Sequence, residues 1–248
     1  MTLLNPNPPT SDEPASGPLA SCRIVLFDAY GTLFDLASIE EATAKALHGV
    51  DAGAFATLWR TKQLESSVHR SLLGPGHWVD FRAVTVEALD YALARFGLVP
   101  DPTAHAALVA AWETPRPYPE TAAVLAALQP RPRAILSNGA AAMLAAAVAA
   151  AGLAPRLDAV LSADAAGVFK PHPRVYALGT DHFGVRPNEV CFVSANAWDA
   201  AGAGAFGYRA VWINRLGWPA DPHGPPPVAT IGSLAELPAL FGSGVTPP

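Results

Sequence analysis

Residues 22–36 read CRIVLFDAYGTLFDL. The first six are mainly apolar and β-branched, the composition of a buried strand. The run stops at a carboxylate, Asp28, and Tyr30-Gly31-Thr32 follows with turn character. Parallel sheets collect their chemistry at the carboxyl ends of strands. The reading of the chain therefore turns on whether further strands end beside Asp28.

From ETPRPYPE (113–120) onward, strand-like and helix-like segments alternate. PETAAVLAALQP (119–130) reads as a helix, RAILSN (133–138) as a strand and GAAAMLAAAVAAAG (139–152) as a helix. LDAVLSAD (157–164) is a strand, PRVYALGTDHFG (173–184) a helix and EVCFVSAN (189–196) a strand. AWDAAGAGAFG (197–207) is a helix and RAVWIN (209–214) a strand. Strands this apolar belong to a sheet covered on both faces, and repeated strand–helix units imply a parallel one. Residues 38–114 instead read as helical throughout, with apolar residues at three- and four-residue spacing. Turn signals at HGVDAG, LGPGHW and FGLVPDP separate the helices. The expected fold is α/β: a doubly wound, Rossmann-like parallel sheet with an all-helical cap inserted after its first strand. The expected division is a core of residues 21–36 and 117–248, a cap of 37–116, and a Pro/Ser/Asn-rich, disordered leader of 1–20. The tail from Pro219 reads as a proline-rich loop, a last helix and a frayed end.

Composition narrows the function classes. Of 248 residues, 51% are hydrophobic and 15% charged, the balance of an ordered globular chain. The net charge is −5 with no basic block, which argues against a nucleic-acid partner. AAAMLAAAVAAAGLAP (140–155) is too short and Ala-dominated for a membrane span, and the N-terminus lacks the charged and apolar regions of a signal peptide. The two cysteines, Cys22 and Cys191, lie in apolar stretches with neither disulfide-framework nor zinc spacing. Reduced core thiols in a cytoplasmic protein are the simpler expectation.

The strand ends carry polar groups: Asp28; Ser137-Asn138-Gly139; Ser162 and Asp164; Ser194-Ala195-Asn196, with Trp198 and Asp199 just beyond. GVFKPHPRVY (167–176) adds Lys170 and Tyr176. A lone Ser or Asn there would ordinarily cap a helix. Four coincident strand ends and an isolated lysine favour a site.

Taken in order, VLFDAYGTLFDL, ILSNG, VFKPHPRVY and FVSANAWDAAGAGAFGYRAVWINR resemble the motifs of the haloacid dehalogenase superfamily, and more narrowly its L-2-haloacid dehalogenase branch. The resemblance covers about residues 23 to 215 and includes LWRTKQLE (58–65) of the cap. It implies that Asp28 attacks C2 of a haloacid with inversion, forming an ester that water hydrolyses to the 2-hydroxy acid. Lys170 would keep Asp28 ionised. Asp199 would orient Lys170 and help activate the water, with Ser194 and Asn196 supporting it, while Thr32 and Tyr176 support nucleophile and intermediate. Ser137 and the backbone amides after Asp28 would hold the substrate carboxylate. Arg60 and Asn138 would cradle the halide, and Tyr30, Leu64, Phe81 and Trp198 would form apolar walls. No cofactor or metal is implied.

The alternative is a Mg²⁺-dependent phosphatase of the same superfamily. Such enzymes carry an acid two residues after the nucleophile and metal-binding carboxylates in the fourth motif; here those places hold Tyr30 and the neutral Ser194 and Asn196. A halide needs no proton to leave, so both substitutions suit dehalogenation. A non-catalytic binding module is disfavoured by the complete Asp28, Lys170 and Asp199 set.

Simpler readings stand beside these. Arg60 by itself sits in a helical pattern of Arg, Lys and Glu that ordinarily forms a solvated face. Trp198 and Phe81 would by default be core aromatics, and His172 between two prolines a loop residue. Asp35, Glu40 and Glu41 suit a helix N-terminus. Ser66, Ser67 and Val68 stand where family members carry bulky aromatics, so either the pocket is wider or His69, His77 or Trp78 fills it. The stretch Phe55–Leu73 is apolar enough either to form a homodimer face or to pack the cap bundle.

Overall fold

The computed structural model describes residues 17–242. Six strands form one parallel sheet: β1 (Ile24–Phe27), β2 (Arg133–Ser137), β3 (Ala159–Ser162), β4 (Val190–Ser194), β5 (Arg209–Ile213) and β6 (Ala229–Ile231), in the order β3-β2-β1-β4-β5-β6. Every residue of β1, β2 and β4 is buried, as their unbroken apolar runs require. The chain winds one way from β1 to β2 and the other way to β4. The switch point thus falls at the carboxyl end of β1, where Asp28 begins the loop. Its own N–H donates to Val193 O at 2.9 Å, which extends the β1–β4 ladder by one bond and fixes the height of the residue above the sheet.

Between β1 and β2 lie α1 (Ala37–Ala46), α2 (Ala52–Leu73), α3 (Phe81–Arg95) and α4 (Pro102–Ala111), followed by α5 (Thr121–Ala127). Three of these helices start at an aspartate whose side chain accepts from the first turn: Asp51 for α2, Asp80 for α3 and Asp101 for α4. Gly74 (φ +95°) and Gly97 (φ +67°) sit just beyond α2 and α3, where the turn signals lie in the sequence. Phe55 and Trp59 are fully buried, so this part of α2 packs the cap rather than facing outward; Leu72 and Leu73 at its end are exposed. The remaining helices are α6 (Ala141–Ala150), α7 (Pro173–Phe183) and α8 (Ala197–Phe206). Among the described residues no helix is long and apolar enough to cross a membrane.

The two ends of the described chain add detail to the expectations. The proline-rich tail contains a sixth strand, β6, whose three residues follow Pro225-Pro226-Pro227-Val228 and are too few to show a period. The expected last helix is present at Leu234–Phe241 and is 3₁₀, with Pro238 inside it removing an N–H donor. Residues 1–16 of the expected leader lie outside the described residues. Leu19, also assigned to it, is fully buried and donates its N–H to Leu240 O at 3.0 Å.

Helix α7 approaches β1 so closely that a side chain at Gly179 would collide with Leu26 Cδ1 and lie 2.7 Å from Tyr208 Oη. In an open helix, Gly→Ala stabilises. Here Gly179→Ala is expected to destabilise by about 1–3 kcal/mol through overpacking, seen as a lower midpoint in urea unfolding. A gain in stability would show that the contact yields freely.

Candidate active site

The groups that gather above the switch point come from three elements. Asp28 ends β1, Lys170 lies in the loop before α7, and Asp199 is in the first turn of α8. Lys170 is 1% exposed and bridges the two carboxylates, with Nζ 3.3 Å from Asp28 Oδ1 and 2.9 Å from Asp199 Oδ2. Its ammonium also lies 4.7 Å from the centre of the Phe192 ring, a cation–π contact. Asp28 Oδ2 accepts from Asn196 Nδ2 at 3.1 Å and, more weakly, from Thr32 Oγ1 at 3.5 Å. Thr32 Oγ1 in turn accepts from the Ala195 N–H at 2.9 Å, so it ties the nucleophile loop to the end of β4.

Asp199 is completely buried. Its Oδ1 accepts from Tyr176 Oη at 2.8 Å while Oδ2 accepts from Lys170. Burial raises its pKa above the ordinary carboxylate value, Lys170 opposes the rise, and the neighbouring Asp28 charge adds to it. Burial likewise pushes the Tyr176 phenol up, with Asp199 next in effect, so Tyr176 remains a protonated donor. Ser194 is buried and its Oγ accepts from the Asn196 N–H at 3.1 Å, holding the turn that presents Asn196.

In front of this cluster is a cavity of about 270 Å³ lined by Asp28, Tyr30, Arg60, Leu64, Phe81, Ser137, Asn138, Gly139, Lys170, Asn196 and Trp198. All seven side chains expected to bind substrate are in its wall. Thr32, Tyr176, Ser194 and Asp199 lie behind it. Local bonds decide what several of these can offer. Ser137 Oγ accepts from the Gly139 N–H at 3.2 Å, which leaves its own proton to donate. Asn138 Oδ1 accepts from the Lys170 N–H at 2.8 Å, which leaves its amide N–H groups. Tyr30 Oη donates to Trp112 O at 2.8 Å, and burial raises its pKa, so it acts as wall and not as acid. Arg60 reaches the cavity from α2, 5.5 Å above the Trp112 ring. Loss of water lowers its pKa, while the Asp28 charge favours the charged form.

Other candidates take their simpler roles. Ser162 Oγ donates to Gly139 O, and Asp164 Oδ2 accepts from the Ala141 N–H at the start of α6. His172 caps α7 and Asp35 accepts from the Ala37 N–H. Ser66, Ser67 and Val68 are not in the cavity wall. Of the three side chains suggested to fill their place, Trp78 packs inward, tilted against the Phe169 ring with centroids 4.4 Å apart, while the His69 side chain is 62% exposed beside Glu65. Tyr30, Arg60, Leu64 and Asn196 also face a larger cleft of about 1650 Å³ that contains Asp35, Trp212 and Arg215. They form the partition between the two spaces.

Residues 22–207 match the family model described as haloacid dehalogenase-like hydrolase. The chain belongs to that family. An (S)-2-haloacid dehalogenase of Xanthobacter autotrophicus is 50% identical over 195 residues, spanning 78% of this chain and 76% of that one. (S)-2-haloacid dehalogenase 1 of Pseudomonas sp. strain CBS-3 is 43% identical over 223 residues, spanning 88% and 96%. A solved structure of the X. autotrophicus L-2-haloacid dehalogenase with chloropropionic acid covalently bound superimposes with a TM-score of 0.84 at 41% identity, covering 88% of this chain and 98% of that chain.

Haloacid dehalogenase-like hydrolases that transfer phosphoryl groups use Mg²⁺, and the donor set here does not fit that ion. Lys170 Nζ bridges the two carboxylates, and Asn196 turns its N–H, not its oxygen, to Asp28. Among the described residues no group of three or more His, Cys, Asp or Glu is arranged to hold a metal.

Two residues of this family member have roles that its motifs do not spell out. Gly139 lines the cavity, and a Cβ there would lie 2.9 Å from Leu144 and 3.1 Å from Tyr30. Ser71 on α2 accepts from the Phe169 N–H at 2.8 Å and so joins the cap to the loop carrying Lys170. Replacing Lys170 by Met would leave two buried carboxylates without their cation. The expected loss is about 3–5 kcal/mol at pH 8. One carboxyl would then have a raised folded-state pKa, so folding takes up a proton. Stability is then greatest below the unfolded value and falls as pH rises through the folded one. Urea unfolding of Lys170→Met and wild type at pH 5 and pH 8 should show the deficit shrinking at pH 5; a pH-independent deficit would contradict the shared-cation account.

Proposed function

We propose that the chain hydrolyses short-chain (S)-2-haloalkanoic acids to 2-hydroxy acids through an ester on Asp28, without a metal. One observation carries the reading. A carboxylate held by an ammonium and an amide faces a small cavity, while position 30, where a phosphatase needs its acid, is a tyrosine committed to the Trp112 carbonyl. The names of the relatives above support it, as does the covalently bound chloropropionic acid in one of them.

In this reading the Ser137 hydroxyl and the amides after Asp28 hold the substrate carboxylate. An Asp28 oxygen displaces halide from C2 with inversion, and the halide departs toward Arg60 and the free N–H of Asn138. Water then attacks the Asp28 carboxyl carbon. One of its protons ends on the product hydroxyl, and the other leaves by way of the Lys170–Asp199 pair, which restores the Asp28 carboxylate. Asn196 and Thr32 steady Asp28, Tyr176 steadies Asp199, and Tyr30, Leu64, Phe81 and Trp198 keep bulk water out. The core of residues 21–36 and 117–248 supplies the nucleophile, and the cap of 37–116 supplies Arg60, Leu64 and Phe81. The free, buried Cys22 and Cys191 suit a cytoplasmic setting. Assembly as a homodimer, with Leu72 and Leu73 of α2 in the interface, completes the proposal.

Halide release from separate L- and D-2-chloropropionate in EDTA, beside p-nitrophenyl phosphate with Mg²⁺, tests the reaction. Halide from the L-acid alone is expected; phosphate release without halide would overturn the reading. Asp28→Asn is expected to abolish turnover while keeping the wild-type circular dichroism spectrum. A single turnover in ¹⁸O-water with enzyme in excess should put the label in Asp28, and label found solely in the hydroxy acid would mean direct attack by water.

A further inference from the structure

Two polar side chains, Gln63 and Thr85, are completely buried inside the cap, away from the catalytic cluster. Burying a primary amide costs free energy unless its bonds are made, so the interior of a helical cap is an unfavourable place for one. The bonds that Gln63 makes run in a single direction. Thr85 Oγ1 donates its one proton to Phe81 O at 2.7 Å, one turn back along α3. That hydroxyl can therefore only accept from Gln63, whose Nε2 lies 2.9 Å away. With its N–H₂ end committed to Thr85, Gln63 must turn Oε1 the other way, and the group found there is Arg60 Nη1 at 3.4 Å. The Trp59 indole N–H donates to Thr85 O at 2.9 Å and holds α3 against α2 at the same level.

We propose that Gln63 is a positioning residue for Arg60, with its amide orientation set by Thr85. The Arg60 guanidinium lines the cavity, and its other close neighbour in the cap is the face of Trp112, which attracts a cation without fixing its rotation. The Gln63 carbonyl oxygen supplies the missing directional contact. It draws one Nη1 proton one turn onward along α2, which leaves the other guanidinium protons for an anion in the cavity. Being neutral, Gln63 does this without cancelling the charge, which a carboxylate at the same place would do. The inference rests on the dehalogenation reading, in which Arg60 meets the departing halide.

The experiment compares wild type, Gln63→Met, Thr85→Val and Thr85→Ser on L-2-chloropropionate and L-2-bromopropionate. A misdirected Arg60 should lower kcat by about tenfold in Gln63→Met, with less effect on KM and a larger loss for chloride, the poorer leaving group. Thr85→Val should show the same chloride-biased loss to a smaller extent, and Thr85→Ser, which keeps the hydroxyl, should recover it. In an Arg60→Lys background the Gln63→Met effect should largely disappear, because the two changes act through one group. Equal losses on chloride and bromide, or losses that add to that of Arg60→Lys, would overturn the inference and leave Gln63 a packing residue. Saturable quenching of tryptophan fluorescence by bromide reads the same site without turnover. Weaker bromide binding in Gln63→Met supports the inference even if wild type releases no halide, whereas unchanged binding overturns it. Absence of halide release from wild type would instead count against the reaction itself.

Discussion

One ammonium holds two carboxylates inside this protein, and much else is arranged so that it can. Removing three charges from water costs several kcal/mol per ion, recovered only where the geometry is good and the remaining lone pairs are satisfied. Lys170 meets Asp28 and Asp199 within 3.3 Å, Tyr176 satisfies the far oxygen of Asp199, and Asn196 the far oxygen of Asp28. The three charges arrive on different elements, so the cluster forms only if β1 and β4 are in register and α8 starts where it does. The bond from the Asp28 N–H to Val193 O, and the contact of Thr32 with the Ala195 N–H, set that register.

The same sharing gives the proposed reaction a sense of timing. Asp28 and Asp199 repel one another through Lys170, and that repulsion contributes to the raised proton affinity of Asp199. Once Asp28 is an ester its charge is gone, and Asp199 has the ammonium to itself. As water cleaves the ester the Asp28 charge returns, and the affinity of Asp199 for a proton climbs at the moment one must be taken up. No separate acid or base is needed near the leaving group, which agrees with a tyrosine at position 30.

Much of this was legible in the chain because a doubly wound sheet concentrates its polar residues where its strands end. Asp28, Ser137, Asn138, Ser194 and Asn196 could be found by locating the strands, and Lys170 by its isolation. Arg60 could not: its helical spacing points to a solvated face, and it was the likeness of LWRTKQLE to a family segment that singled it out. The pairing of Gln63 with Thr85 was invisible because it joins two helices across 22 positions, and nothing local marks either residue. Strand β6 escaped because three residues cannot show a period, while the last helix was legible although not its 3₁₀ type, which suits Pro238. Ser162 and Asp164 end a strand as well, but Ser162 ties the Gly139 turn and Asp164 the start of α6, so a polar strand end does not by itself mark the site.

The bond from the Phe169 N–H to Ser71, with Trp78 and Phe81 against the Phe169 ring, has a consequence for how such a molecule can diversify. The residue immediately before the central lysine is gripped by the inserted helices, not by the sheet alone. A foreign cap spliced onto this core would have to reproduce that grip, or Lys170 would lose its bearing on both carboxylates. Core and cap are thus poor candidates for modular exchange. New specificities are more accessible by point changes within the existing cap than by replacing it.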